Sequence, residues 1–210
     1  MRRFRPEVEA CESRDCPTLV FVFPGNALAA ASPDLPTQLA ADQLLRHGDQ
    51  PIQVSTPAMD GPAAFNRVVD YVRQVSQGQP IGLIGFSAGG ALALRVAGQP
   101  GINATSVMDY YGPPDMTAWI NSHGHDHYFR YVTSHVQLTQ DVVNLLSGPS
   151  HSDANFVAAF GLQDHNVIAS VSTAAFQKDF PNGHVYYYQG PHGVTLYASY
   201  AAFLDFLEHL

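Results

Sequence analysis

The chain has 210 residues, of which 46% are hydrophobic and only 13% are charged, and its formal net charge is −8 at pH 7. This hydrophobic content suffices for the core of one domain, so residues 1–210 are expected to form a single domain. The negative charge, without any cluster of lysine or arginine, argues against nucleic acid or an anionic membrane as a partner.

The N-terminal residues do not have the pattern of a secretory signal. Their basic start, Met1–Arg5, is followed by Pro6 and Glu7 instead of an apolar stretch. No apolar run approaches the roughly 20 residues that a membrane span requires. We therefore expect a cytoplasmic protein with no membrane partner, whose two cysteines, Cys11 and Cys16, are reduced thiols.

Predicted strands and helices alternate along the chain. The predicted strands are Thr18–Phe23, Ile52–Ser55, Pro80–Ile84, Ala104–Tyr111, Asn155–Gly161 and His184–Gln189. The predicted helices are Leu35–His47, Pro62–Gln77, Gly90–Ala97, a segment that begins near Val167, and Thr195–Leu210. This order predicts an α/β fold with a doubly wound, mostly parallel sheet and helices on both faces. Arg3–Ala10 is predicted to add an antiparallel edge strand.

Apolar residues at helical spacing predict the buried faces of two helices. In the first helix they are Leu35, Leu39, Leu44 and Leu45. In the last helix they are Leu196, Tyr200, Phe203, Leu204 and Leu207.

Residues 85–89 read Gly-Phe-Ser-Ala-Gly, a G-x-S-x-G pattern between a predicted strand and a predicted helix. A serine on so tight a turn is strained, and the flanking glycines let neighbouring backbone approach without meeting a Cβ atom. The turn exposes the serine hydroxyl and directs the first N–H groups of the helix to the same point. Ser87 is therefore the predicted nucleophile.

A serine hydroxyl needs a base, and the base needs a third group that fixes its orientation. Ligands of open α/β sheets bind at the carboxyl ends of the strands, so both groups are expected on loops that follow strands. His192 follows the last predicted strand and is the predicted base. Asp164 follows the preceding strand and is the predicted orienting acid, although an aspartate there would also fit a helix N-cap. Asp115, on the loop after the strand that ends at Tyr111, is the alternative acid.

Two backbone N–H groups are predicted to form an oxyanion hole. Ala88 directly follows the nucleophile and provides the first. Asn26, or alternatively Ala27, provides the second from the loop after the first strand, where Gly25 lets the chain turn close to the site.

Ser87, Asp164 and His192 occur in the chain order typical of the α/β-hydrolase superfamily, and the segments Gly-Phe-Ser-Ala-Gly-Gly and Gly-Leu-Gln-Asp resemble its motifs. The resemblance covers essentially the whole chain and implies an α/β-hydrolase fold that requires no cofactor. Phe-Pro-Gly-Asn-Ala, at residues 23–27, is similar to a segment of thioesterases that serve polyketide and peptide synthetases. The small size is more similar to the dienelactone-hydrolase-like branch, whose usual nucleophile is cysteine, so both branches stay open.

Roughly forty residues separate the strand that ends at Tyr111 from the strand that begins at Asn155, more than one crossover requires. The stretch at about 112–152 is therefore predicted to be a cap-like insertion, with a helix at Leu138–Leu146.

The predicted cap contains alternating histidines, His123, His125 and His127, which on an extended segment would share one face. Such a face could bind a transition metal with help from His135 or Asp126. We favour a polar loop without metal, because no cysteine or second carboxylate completes a ligand set.

These features predict a serine hydrolase that cleaves a small-molecule carboxylic ester or thioester without a cofactor. Trp119 and Tyr111 are the predicted substrate-binding residues, because an aromatic lining suits a mid-sized, partly aromatic acyl group. The same fold also supports lyases, cyclases, acyl transferases and ligand-binding receptors, which stay open as alternatives.

Overall fold

The computed structural model describes residues 17–25, 35–54, 61–123, 139–148 and 150–210. The strands are β1 (Leu19–Phe23), β2 (Gln50–Gln53), β3 (Ile81–Phe86), β4 (Ala104–Tyr110), β5 (Asn155–Gly161) and β6 (His184–Tyr188). The helices of the described residues are α1 (Leu35–His47), α2 (Pro62–Ser76), α3 (Ala88–Ala97), α4 (Met116–His123), α5 (Gln140–Leu145), α6 (Ala169–Asp179) and α7 (Tyr200–Glu208), and a 3-10 turn at Leu196–Ser199 precedes α7.

The six strands form one sheet in the order β2-β1-β3-β4-β5-β6, and every neighbouring pair is parallel. The predicted α/β class and doubly wound sheet are thereby confirmed. The bounds predicted for these elements agree with the observed ones to within two residues, except that the last helix was predicted from Thr195 and begins at Tyr200, after the 3-10 turn at Leu196–Ser199. The predicted edge strand Arg3–Ala10 lies outside the described residues.

Helices cover both faces of the sheet, because successive side chains of each buried strand point to opposite sides. In β1, Phe21 and Phe23 pack into the core formed with α2 and α3. Val20 and Val22 pack into the core formed with α1 and α7 on the other face. No helix in the described part of the chain is long and apolar enough to cross a membrane.

The buried faces predicted for α1 and α7 are partly wrong. Leu35 and Leu45 of α1 are 61% and 60% exposed, and the helix instead buries Pro36, Thr37, Ala40, Ala41 and Leu44. Small residues at this contact let α1 lie close to the sheet. In α7, Tyr200 and Leu204 are exposed, whereas Ala202, Phe203 and Phe206 are fully buried. Apolar residues occupy more than one face of each helix, so spacing alone did not identify the face that packs.

The predicted cap region contains α4 and α5, whereas residues 124–138 and 149 lie outside the described residues. Thr139 caps α5 by accepting a hydrogen bond from the Val142 N–H at 3.4 Å. Trp119 of α4 and Val142 of α5 belong to the core that contains α2 and α3. These two helices are therefore packed against the body of the domain.

Parallel strands place their carboxyl ends along one edge of the sheet. Ser87 directly follows β3, Asp164 lies on the loop after β5, and His192 lies on the loop after β6. Since the carboxyl ends of parallel strands share one edge, these three loops lie together at that edge. They do so although β4 and β5 separate β3 from β6 in the sheet.

Candidate active site

Ser87 lies on a sharp turn between β3 and α3, with φ 51° and ψ −126°. A left-handed φ is costly for a residue with a Cβ atom, and such strain persists where the surroundings fix the backbone. The Ser87 N–H donates to the carbonyl of Tyr110 at 3.0 Å. A Cβ atom on Gly85 would overlap the Gly89 carbonyl, and one on Gly89 would overlap the Phe23 carbonyl. Both glycines of the G-x-S-x-G pattern are therefore required by close backbone contacts.

His192 contacts Ser87 and Asp164 at the same time. Its Nε2 atom lies 2.9 Å from Ser87 Oγ, and its Nδ1 atom lies 2.8 Å from Asp164 Oδ2. An ionised carboxylate can only accept, so Nδ1–H donates to Asp164 and Nε2 accepts from the serine hydroxyl. The side chain of His192 is 19% exposed and that of Asp164 is 0% exposed. The arrangement leaves the serine end of the imidazole accessible and buries the acid end.

Asp164 also holds the loop on which it lies. Its Oδ1 atom accepts hydrogen bonds from the backbone N–H groups of Asn166 at 2.8 Å and Val167 at 2.9 Å. The neighbouring Gln163 N–H donates to the carbonyl of Gly190, two residues before His192, at 3.2 Å. The loop that carries Asp164 (the acid loop) and the loop that carries His192 (the histidine loop) are therefore hydrogen-bonded to each other.

Asp115, the alternative acid, is engaged elsewhere. Its Oδ1 atom accepts from the Ala118 N–H at 2.8 Å at the start of α4. Its Oδ2 atom accepts from the Gly148 N–H at 3.3 Å, after α5. These bonds tie the two helices of the predicted cap region together, and the carboxylate that contacts His192 is that of Asp164.

The predicted oxyanion donors lie on two segments, of which one is fully described. Ala88 is the first residue of α3, so its N–H is at the helix N-terminus beside Ser87. A Cβ atom on Gly25 would lie 3.0 Å from Ser87 Cβ, which shows that the chain after β1 passes directly against the turn at residues 85–89, hereafter the elbow. Asn26 itself lies outside the described residues.

The sequence matches no protein-family model, and no curated protein sequence matches it. Solved structures do resemble it. A truncated carbohydrate esterase from gut microbiota has a TM-score of 0.68 and 17% identity over 92% of this chain and 86% of that one. A carboxylesterase from Lactobacillus plantarum has a TM-score of 0.62 and 17% identity over 89% of this chain and 76% of that one. For mouse alpha/beta hydrolase domain-containing protein 10 the TM-score is 0.64 and the identity 12%, over 90% and 87% of the two chains.

The chain has the α/β-hydrolase fold. The resemblance inferred from Ser87, Asp164 and His192 is thus confirmed at the level of the fold, which is what identities of 12% and 17% support. The position of Ser87 between a parallel strand and a helix is the place where α/β hydrolases carry their nucleophile.

The two aromatic residues predicted to bind substrate contact the loops that carry Asp164 and His192. The ring of Tyr111 lies 4.8 Å from the imidazole of His192, measured between centroids. The indole N–H of Trp119 donates to the carbonyl of Asn166, on the acid loop, at 2.6 Å. Tyr111 is 2% exposed and Trp119 is 8% exposed. Both side chains therefore lie beneath the surface of the site.

The histidine run is only partly described. His123 is buried at the end of α4, where its Nδ1 atom lies 2.9 Å from the Trp119 carbonyl and its Nε2 atom 3.2 Å from the His165 carbonyl. His125 and His127 lie outside the described residues. Within the described ranges, no group of three or more histidine, cysteine, aspartate or glutamate side chains could hold a metal ion.

Asp109 is a buried acid beneath the elbow that sequence reasoning missed. Its carboxylate is completely buried, and Oδ1 accepts from the Gly112 N–H at 2.8 Å. Burial raises the pKa of Asp109 to about 7, against the opposing effects of the Gly112 hydrogen bond and of Arg95. A Cβ atom on Gly90 of α3 would overlap Oδ1. The sequence feature that could have identified Asp109 is its position as the one carboxylate near the end of the otherwise uncharged strand β4.

Arg95, on the helix that follows Ser87, forms a buried ion pair. Its guanidinium lies 3.6 Å from Asp179 Oδ2, and the two side chains are 4% and 3% exposed. It also donates to the carbonyl of Pro114, between β4 and α4. Burial lowers the pKa of Arg95, and the charge of Asp179 opposes this effect. The pair therefore joins α3, α6 and the base of α4.

Proposed function

We propose that the protein is a serine hydrolase that cleaves a small-molecule carboxylic ester or thioester through an acyl-enzyme. The observation that supports it most is the hydrogen-bonded line from Asp164 through His192 to Ser87, with both distances below 3.0 Å. Its position at the carboxyl edge of the sheet agrees with the location of sites in open α/β folds. Two of the solved structures with this fold are esterases by name.

In the proposed reaction, Ser87 Oγ attacks the acyl carbon while its proton passes to His192 Nε2. The imidazolium then donates this proton to the departing alcohol or thiol as the bond from the acyl carbon breaks. A water molecule attacks the acyl-enzyme, gives one proton to Nε2, and releases the acid as Ser87 regains its proton. Asp164 stabilises the imidazolium and keeps Nδ1 protonated throughout.

The oxyanion of each tetrahedral intermediate is proposed to bind the N–H groups of Ala88 and Asn26. Ala88 begins α3, so the helix dipole adds positive potential at the same point. The close approach of Gly25 to Ser87 favours a donor from the segment that follows it.

Residues at about 112–152 are proposed to act as a cap on the single domain, with Trp119 and Tyr111 bordering the acyl group. The contacts of Trp119 with the acid loop and of Tyr111 with His192 support this proposal. An aromatic border of this kind suits an acyl group of moderate size.

A fluorophosphonate probe tests the proposal, because it phosphonylates only an activated serine. We expect the wild type and a Ser172→Ala control to be labelled and Ser87→Ala to remain unlabelled, as Ser172 is a buried serine on α6. Equal labelling of Ser87→Ala would overturn the assignment.

Panels of esters and thioesters, with product analysis in the presence of competing alcohols, separate hydrolysis from acyl transfer. Labelling without turnover of any panel member would favour a receptor.

A further inference from the structure

Three non-glycine residues in the described ranges have a positive φ, namely Gln77, Ser87 and Tyr111. Gln77 ends α2 in the left-handed conformation common at helix C-termini. Ser87 forms the elbow. Tyr111, with φ 47°, directly follows β4 and belongs to neither class. A bulky residue rarely adopts this conformation, and such strain clusters at functional sites.

Hydrogen bonds on both sides fix the backbone at this position. The Tyr111 N–H donates to the carbonyl of Ala159 in β5 at 2.9 Å. The next N–H, that of Gly112, donates to Asp109 Oδ1. The preceding carbonyl, that of Tyr110, accepts from the N–H of Ser87. One short turn is thus tied to Ser87 on one side and to β5, the strand that precedes the loop of Asp164, on the other.

The strained backbone places the Tyr111 ring against the imidazole of His192. Their centroids are 4.8 Å apart and their planes make an angle of 64°, a T-shaped contact. The Tyr111 ring also contacts the rings of Tyr110, at 5.0 Å between centroids, and Phe86, at 6.0 Å. An immobile aromatic surface therefore covers part of the imidazole.

We propose that Tyr111 is a positioning residue that sets the tilt of the His192 ring. The two hydrogen bonds of His192 join its ring nitrogens to Asp164 and Ser87, and both weaken when the imidazole rotates about its Cα–Cβ and Cβ–Cγ bonds. Contact with a fixed ring blocks this rotation and keeps Nε2 directed at the serine hydroxyl. The proposal rests on the serine hydrolase function and assigns Tyr111 a role beyond contact with substrate.

Tyr111→Phe and Tyr111→Leu, with Phe180→Leu as the matched control, test this role. Phe180 is also buried, and its replacement by leucine removes a stacking contact with Phe156 at 4.1 Å between centroids. It lies at the end of α6, away from His192. With 4-nitrophenyl acetate, whose acyl group is too small to reach a cap, we expect kcat to fall roughly ten- to hundredfold in Tyr111→Leu with KM within about twofold. Tyr111→Phe restores wild-type kcat, and Phe180→Leu keeps it.

The proton on His192 Nδ1 gives a readout that does not depend on turnover. Its low-field NMR signal is expected to persist in the wild type, in Tyr111→Phe and in Phe180→Leu, and to broaden in Tyr111→Leu because a rotating imidazole exchanges this proton with water. An unchanged signal together with a raised KM would overturn the proposal and make Tyr111 part of the substrate wall. Wild-type kcat in Tyr111→Leu would overturn it as well. If Ser87→Ala kept full activity, the serine hydrolase function itself would fail, a result separate from either of these.

Discussion

One carboxylate oxygen of Asp164 contacts His192, and the other binds the backbone of the loop that carries Asp164. Oδ2 accepts from the imidazole at 2.8 Å, and Oδ1 accepts from two backbone N–H groups that follow. The carboxylate cannot turn away from His192 without breaking the bonds to the loop. The hydrogen bonds that hold the loop in its folded conformation therefore also hold the Asp164 carboxylate in the orientation that the proposed chemistry requires.

Asp164→Asn is expected to lower kcat by roughly 10³–10⁴, because the amide cannot stabilise the imidazolium and can select the wrong tautomer. Asp115→Asn is the matched control, since that carboxylate caps α4 and contacts Gly148. We expect it to change kcat by less than about tenfold, because asparagine keeps one acceptor oxygen for the cap, and to cost about 1 kcal/mol of stability through the lost second acceptor. Steady-state kinetics and urea unfolding of both variants check the ranking, and the reverse order would move the acid role to Asp115.

Ser87→Ala is expected to lower turnover by roughly 10³-fold or more and to leave the fold intact. Alanine at this position also keeps the left-handed φ of the elbow, so any loss of stability stays small beside the loss of rate. Kinetics on the best ester of the panel, with circular dichroism as the check on folding, measure both. Wild-type rates in the folded variant would exclude Ser87 as the nucleophile.

Asp109→Asn is expected to change how stability depends on pH. Because burial raises the pKa of Asp109 to about 7, the folded protein takes up a proton that the unfolded chain releases near pH 4. This group therefore stabilises the fold below about pH 4, and the free energy of unfolding falls as pH rises from about 4 to 7, by up to roughly 4 kcal/mol.

Asparagine keeps an oxygen for the Gly112 N–H and removes the titration. Urea unfolding at pH 5 and pH 8 isolates the effect, because the other ionisable groups are common to both proteins. We expect the variant to lose less stability than the wild type between the two pH values. Parallel profiles would contradict a buried, titrating Asp109.

Arg95→Met is expected to destabilise the fold by about 3–5 kcal/mol, because it leaves the buried carboxylate of Asp179 without its partner. Arg73→Met, at the exposed pair with Asp70, is the control and is expected to cost about 1 kcal/mol or less. Replacing both buried partners, as Arg95→Met with Asp179→Leu, is expected to recover much of the loss. Chemical denaturation measures all three, and equal costs for the Arg95 and Arg73 variants would show that burial adds nothing.

Local patterns allowed much of this fold to be predicted. The alternation of apolar strands with helices specified a parallel sheet, and the parallel sheet placed the residues that follow its strands along one edge. This is why Ser87, Asp164 and His192 were found 105 and 28 residues apart in sequence yet meet in space. Neither inference required knowledge of side-chain packing.

The same local patterns could not predict which side chains of different elements contact each other. The outward position of Leu35 and Leu45 depends on how α1 lies on the sheet, and helical spacing does not contain that information. The pairing of Arg95 with Asp179 and the contact of Tyr111 with His192 join residues from different elements. Each follows from the packed arrangement, since no local sequence signal specifies which distant side chain will be met.

The order of the strands has a consequence for how the protein is made. Synthesis delivers β3 and the turn at Ser87 long before β6, which among the strands of the described residues is the last to emerge and lies at an edge of their sheet. Until β6 docks on β5, Ser87 has no imidazole beside it. Under the proposed mechanism, a nascent or partly folded chain would therefore be unable to hydrolyse esters, and the appearance of activity during refolding would time the arrival of the final strand.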